Sequence, residues 1–179
     1  MTNLSLNPAR EVRLPVKPVL QDYSFDCGKA VVKTLMGSLG AELEDKKLQD
    51  ILRTNRVSGT HPRNILEALK HLELEFEEKI GSTIADIEEK IAQGYYCLVV
   101  YQAWGSPEER AKLESGHYSL AYGYTDTALH LADPSAYQGA RGLGSGMRIL
   151  DKEKFNNEWK DQDYQGNIYD HWMVAVKGR

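Results

Sequence analysis

Two periods divide the chain. From Asp26 to Gly94 apolar residues recur at spacings of three and four; beyond Gly94 they crowd together or alternate. Ala30, Val31, Thr34, Leu35 and Leu39 predict a helix that begins at Asp26 and stops at Gly40. A short helix is expected over Glu44 to Leu52. Thr60 is the expected cap of the next, with Pro62 early in it and Ile65, Leu66 and Leu69 on its buried face. Ser82 is the expected cap of a fourth, whose stripe of Ile84, Ile87 and Ile91 ends at Gly94.

The second half predicts strands. Tyr95 to Gln102 is aromatic and β-branched, His117 to Tyr124 forms a second strand and Ala128 to Ala132 a third. Thr125-Asp126-Thr127 is short enough to join the last two as a hairpin. Met147 to Leu150 predicts a fourth strand, Asp151 to Trp159 a short helix with Phe155 and Trp159 on one face, and Trp172 to Lys177 a last strand. Helices first and strands afterwards predict an α+β fold, an N-terminal helical part packed on a C-terminal antiparallel sheet. Residues 1–20 hold three of the six prolines and no period, so they predict an extended arm before a single domain over 21–179. Glu42 to Lys47 and Glu73 to Lys79 read as solvated faces. Gln138 to Gly146 reads as a flexible loop, since it lacks the spacing and the Lys-Ser of a phosphate loop.

Composition narrows the functions. The chain has 179 residues, long enough to bury a core, and a net charge of −4 without basic clusters, which argues against nucleic acid as a partner. The longest apolar run, Tyr95 to Tyr101, is strand-sized, so no membrane association is expected. The N-terminus carries Arg10, Arg13 and Lys17 and lacks the apolar core of a signal peptide, which predicts a cytoplasmic protein. Two cysteines make no disulfide scaffold, and each thiol needs its own explanation. Cys97, inside a strand, reads as a buried core thiol.

Cys27 falls in the first turn of the first core helix, where unpaired backbone N–H groups and the helix dipole favour a thiolate. Gly28 follows it and would let a substrate carbonyl approach the backbone. Gln21 lies six residues earlier, with an amide able to donate toward a carbonyl beside the thiol. His117 opens a strand after the polar stretch Gly105 to Ser115, and Asp133 ends the next strand of the hairpin. Pairing across residues 125–127 brings these two to the same open end of the ladder, where an acid can orient an imidazole. Each residue also has a plainer explanation: a small buried cysteine, a solvated glutamine, an aspartate that starts an Asp-Pro turn. His130 and Asp133, three apart, do not make a metal site with His117, because strand alternation turns His130 to the other face. His61, His71 and His171 read as surface or satisfied histidines.

The order Gln, Cys, His, Asp in these contexts resembles papain-like cysteine peptidases, and within them the bacteriocin-leader-processing branch, the peptidase C-39-like family. The resemblance rests on Gln21 to Gly28 (QDYSFDCG), on Gly116-His117-Tyr118-Ser119-Leu120, on Gly123-Tyr124 and Leu129 to Pro134, and on Phe155 to Trp159. It implies a papain-like fold and a thiol hydrolase that needs no cofactor and acts on a peptide or protein substrate. Cys27 would be the nucleophile, His117 the general base and then acid, and Asp133 the residue that orients His117. Gln21 and the Cys27 N–H would hold the oxyanion, with Gly28, Gly116 and Tyr118 at the substrate. Lys29 departs from the small residue or proline common there, and a cation one turn from the thiol would favour its ionisation. Two alternatives stay open: an amide-modifying or acyl-transferring enzyme using the same site, and a non-catalytic peptide-binding domain of the same fold.

Overall fold

The computed structural model describes residues 10–139 and 144–178. The helical half contains α1 (Cys27–Ser38), α2 (Asp45–Leu52), α3 (Pro62–His71) and α4 (Ile84–Ala92), with two short strands, β1 (Val12–Arg13) and β2 (Phe76–Lys79). The second half contains β3 (Tyr95–Gln102), α5 (Pro107–Ala111), β4 (Gly116–Tyr124), β5 (Ala128–Ala132), β6 (Met147–Asp151), α6 (Lys152–Glu158), β7 (Lys160–Gln162), β8 (Ile168–Asp170) and β9 (Met173–Lys177). The main sheet runs in the order β2-β9-β3-β4-β5-β6, every pair antiparallel. β1 pairs with β4 at Val12↔Tyr124 and Arg13↔Gly123, beyond the stretch of β4 that β3 occupies. β7 and β8 form a separate hairpin.

The strands predicted at 95–102 and 128–132 have those bounds because they are buried on both sides. Alternation along β3 explains how. Leu98 and Val100 join Val31, Leu35, Ile65 and Leu69 of α1 and α3 in one core; Cys97, Val99 and Tyr101 join Ile87 and Ile91 of α4, Phe155 of α6 and Trp159 just after it in the other. The fold is α+β as expected, but helices cover both faces of the sheet rather than one. A strand buried on both faces is almost wholly apolar, as 95–101 is.

Several boundaries move by a residue or become new elements. α4 is capped by Thr83, not Ser82: the Thr83 hydroxyl accepts from the Asp86 N–H and the Asp86 carboxylate accepts from the Thr83 N–H. α3 is capped by His61, whose Nδ1 accepts from the Arg63 N–H, while Thr60 is buried and bonds to Thr54. The charged run Glu73 to Lys79 contains β2, an edge strand whose charges discourage pairing with another chain. The polar stretch before His117 contains α5, capped by Ser106. Apart from β1, residues 10–20 form no helix or strand, and residues 1–9 of the predicted arm lie outside the described residues. No helix among the described residues is long and apolar enough to cross a membrane.

Candidate active site

The start of α1 is built by a turn. The Asp26 N–H donates to the Tyr23 carbonyl, and the rings of Tyr23 and Phe25 stack above it. Asp26 occupies the N-cap position, yet its side chain caps nothing. Its carboxylate turns instead to Lys29, 3.1 Å away, in a buried ion pair that lacks hydrogen-bond alignment. The first N–H groups of the helix, that of Cys27 included, therefore receive no side-chain acceptor from the cap. The ion pair also corrects the expectation for Lys29. Its charge is spent on Asp26 and is not a free cation acting on the thiol.

His117 and Asp133 meet as the hairpin predicts. β4 and β5 pair at Leu120↔Ala132, so both residues lie at the open end of the ladder. The His117 Nε2 is 2.7 Å from the Asp133 Oδ1, and both side chains are almost wholly buried. Asp133 Oδ1 also accepts from the Ser135 N–H and hydroxyl, each at 2.8 Å. The turn bonds from Ser135 and the contact with His117 thus share one oxygen. The other oxygen is ion-paired with Arg148, 2.7 Å from its Nε, and accepts weakly from the Tyr101 hydroxyl at 3.4 Å. Burial pushes the Asp133 carboxyl up, but His117, Arg148 and Ser135 together hold it down at about 2.

Burial likewise pulls the imidazole down, and the Asp133 bond and the Cys27 thiol outweigh it, raising His117 to about 9. Nδ1 of this ring is buried and makes no hydrogen bond. With Nε2 committed to Asp133, Nδ1 is the atom left for the thiol. Trp104 tilts over the ring with centroids 4.7 Å apart and shields it from water. Cys97 is a different thiol: wholly buried beside Ile87, with burial pushing its pKa up beyond the reach of ordinary conditions.

Gln21 is buried and held near the site by its backbone, with its N–H donating to the Pro134 carbonyl and its own carbonyl accepting from the Tyr137 hydroxyl at 2.8 Å. Its Nε2 donates to the Tyr23 carbonyl at 2.9 Å, and its Oε1 is buried without a partner. The amide thus has one N–H engaged in the turn and one left over. Gly28 has a packing reason of its own. A Cβ there would lie 2.6 Å from the Thr60 Cβ, so the glycine makes room for Thr60.

A cleft of about 290 Å³ opens beside Cys27. The loop before α3, with Gly59 and Thr60, forms one wall; Gly116, Tyr118 and the turn after β7 form the other. The Tyr118 hydroxyl donates to the Thr60 carbonyl across its floor at 3.0 Å. His61 Nε2 bonds Asp163 across the far end at 2.9 Å. A Cβ on Gly116 would overlap the Asp161 carboxylate, which occupies that space. A larger cavity of about 790 Å³, between α5 and α6, does not contain Cys27. Among the described residues no group of three or more His, Cys, Asp or Glu side chains is placed to hold a metal. His130 is buried under the N-terminal segment, 3.5 Å from Glu11.

Of the residues named from the sequence, Cys27, His117 and Asp133 converge with Gln21 close by, and Gly116 and Tyr118 line the cleft. Arg148, Tyr101, Trp104 and Asp161 were not anticipated. Only Ser135 had a local signal, the Asp-Pro-Ser turn itself. A thiol at an uncapped helix start, facing a base held by a buried carboxylate, is chemically equipped for acyl transfer.

Comparison with known proteins bears on the fold and the family. None of the curated proteins matches the chain. Among solved structures, a putative C39-like peptidase from Bacillus anthracis is similar at a TM-score of 0.72 and 14% identity, over 95% of this chain and 98% of that one. The peptidase domain of Streptococcus ComA, a bifunctional ABC transporter involved in quorum sensing, has a TM-score of 0.63 and 22% identity, over 91% and 98%. A double glycine motif protease from an AMS/PCAT transporter, in complex with a leader peptide, has a TM-score of 0.66 and 14% identity, over 94% and 95%. The fold is thus the papain-like one expected from the sequence. The model of the Peptidase C39 family matches residues 15–162, and the chain belongs to that family of cysteine peptidases.

Proposed function

We propose that Cys27, His117, Asp133 and Gln21 carry the peptidase reaction. The observation that carries this reading is the buried His117 Nδ1, free of any other bond, on a ring that Asp133 holds from behind and Cys27 helps to raise. The Cys27 thiol gives its proton to His117 and the sulfur attacks the carbonyl carbon of a peptide bond. The carbonyl oxygen takes up negative charge and receives the Cys27 N–H and the remaining Gln21 N–H. The C–N bond breaks, the amine leaves with the proton from His117, and a thioester to Cys27 remains. Water, deprotonated by His117, hydrolyses the thioester and releases the acid.

Asp133 positions the ring and stabilises its charged form, and Arg148 and Ser135 position Asp133. A peptide or protein segment is the substrate, in keeping with the leader peptide bound to one structural neighbour. Both cysteines are free thiols, as a reducing cytoplasm would keep them. The test pairs cleavage with thiol reactivity. A complex mixture of peptides should be cleaved by the native protein and not by Cys27→Ala, which should remain folded. Iodoacetamide should modify Cys27 in preference to Cys97, and His117→Ala should abolish that preference near neutral pH. Full cleavage by Cys27→Ala would overturn the assignment.

A further inference from the structure

The cleft beside Cys27 contains an anion that the reaction does not use. We propose that Asp161 forms the floor of a subsite that takes a basic side chain, arginine or lysine, from the peptide segment beside the bond that Cys27 attacks. The inference rests on the peptidase reading and names the substrate class of the same site.

Three observations carry it. First, the place: Asp161 lines the same cleft as Cys27 and lies over Gly116, the residue before His117, where a side chain on Gly116 would displace it. Second, the carboxylate is held by a dedicated support. Gln102 is buried in β3 and its amide is fully used: Oε1 accepts from the Ser115 N–H at 2.8 Å, and Nε2 donates to the Lys160 carbonyl and to Asp161 Oδ1, each at 2.9 Å. This fixes Oδ1 and leaves Oδ2 for a ligand. Third, the charge is uncompensated. Asp161 makes no ion pair among the described residues, whereas neighbouring Asp163 is satisfied by His61 and Asn167. Burial raises Asp161 to about 6; the Gln162 N–H and Gln102 only partly oppose this, and Asp163 adds to it.

A half-buried carboxylate without a cation gains most from a ligand that brings one. The walls suit the rest of such a side chain, since Tyr118, Phe25 and Tyr164 offer apolar surface to an aliphatic stem whose charged head reaches the floor. The other charged or titratable groups facing the cleft are Cys27, Arg56, His61, Tyr118, Asp163 and Tyr164. Arg56 is exposed at the rim, where it disfavours a second cation outside the floor.

The test uses peptidyl acyloxymethyl ketones, which alkylate a nucleophilic cysteine without an identified substrate. Arginine, norleucine or glutamate is placed at each of the two positions before the ketone. Near pH 7.5 the arginine probe should label Cys27 about tenfold faster than the norleucine probe at one position, a difference of about 1.4 kcal/mol, with glutamate slowest. In Asp161→Asn, which preserves size and the Gln102 contact, the arginine-to-norleucine ratio should fall to about one. In the native protein the ratio should fall as pH drops through about 6, because Asp161 gains a proton; Cys27 and His117 act on all probes alike and cancel in the ratio. That series reads the same carboxylate if the variant does not fold. Equal labelling by all three probes at both positions, or an arginine preference that survives in Asp161→Asn, would overturn the subsite and leave the peptidase reading intact. No labelling by any probe would remove both.

Discussion

Replacing Asp133 with Asn keeps the size of the side chain and removes the charge behind His117. In the native protein the two groups are 2.7 Å apart and His117 is raised from 6.5 to about 9. A histidine raised by folding stabilises the folded state fully below pH 6.5, and the contribution is lost as pH rises through about 9. At about 1.4 kcal/mol per pH unit, the rise amounts to at most about 3 kcal/mol. Cys27 supplies part of it, and the low position of Asp133 is the other side of the same interaction, so it is not added. The stability gap between the native protein and Asp133→Asn should therefore be widest near pH 6 and narrow by about 2 kcal/mol by pH 9.5. A part independent of pH should persist, because Arg148 then faces a neutral amide. Urea unfolding in small pH steps measures the gap, and the imidazole resonance of His117 gives its titration directly. Burial acting without the carboxylate should lower that midpoint by about one to two pH units. A gap that stays flat from pH 6 to 10, or a His117 midpoint unchanged in the variant, would refute the argument.

Arg148→Met removes the cation on the other oxygen of Asp133, so the carboxyl should move up from about 2 toward its ordinary 3.8. A depressed carboxylate stabilises the fold above pH 3.8 and loses that contribution as pH falls through about 2. The variant should be weaker by about 1–2 kcal/mol near pH 6 and converge with the native protein near pH 2; a deficit that does not change with pH would count against this. Gly28→Ala forces a methyl group to 2.6 Å from Thr60 and 2.7 Å from its hydroxyl, which bonds to Thr54. It should lower stability by about 1–3 kcal/mol in denaturant unfolding, and a change below about 0.5 kcal/mol would show that the site has room to spare.

Much of the fold was legible because its signals are local. The helices over Cys27–Ser38 and Ile84–Ala92 follow from stripes at helical spacing, each followed by a glycine with positive φ, Gly40 and Gly94. β3 and β5 follow from runs of apolar residues. Elements whose sequence is polar were missed: β1, β2, α5, β7 and β8 hold their places through neighbours rather than through an apolar stripe. The caps at Thr83 and His61 each fell one residue from the expected position, because Ser82 and Thr60 have equally suitable side chains and only the path of the chain separates them. The site divided in the same way. His117 and Asp133 were readable as neighbours because a three-residue turn joins their strands.

The amino-acid sequence by itself determined the class of fold, the helix that carries Cys27, the hairpin that carries His117 and Asp133, and the chemistry those residue types can perform. These follow from spacings of a few residues, over which the period of a helix or strand dictates where side chains point. Only the tertiary structure decided that helices lie on both faces of the sheet, that Lys29 is spent on Asp26, that Thr60 fills the space over Gly28 and that Arg148 holds the far oxygen of Asp133. It alone placed Asp161 over Gly116, 45 residues away along the chain. Such contacts depend on the order of strands in the sheet and on which edge each loop crosses, and no local period encodes either.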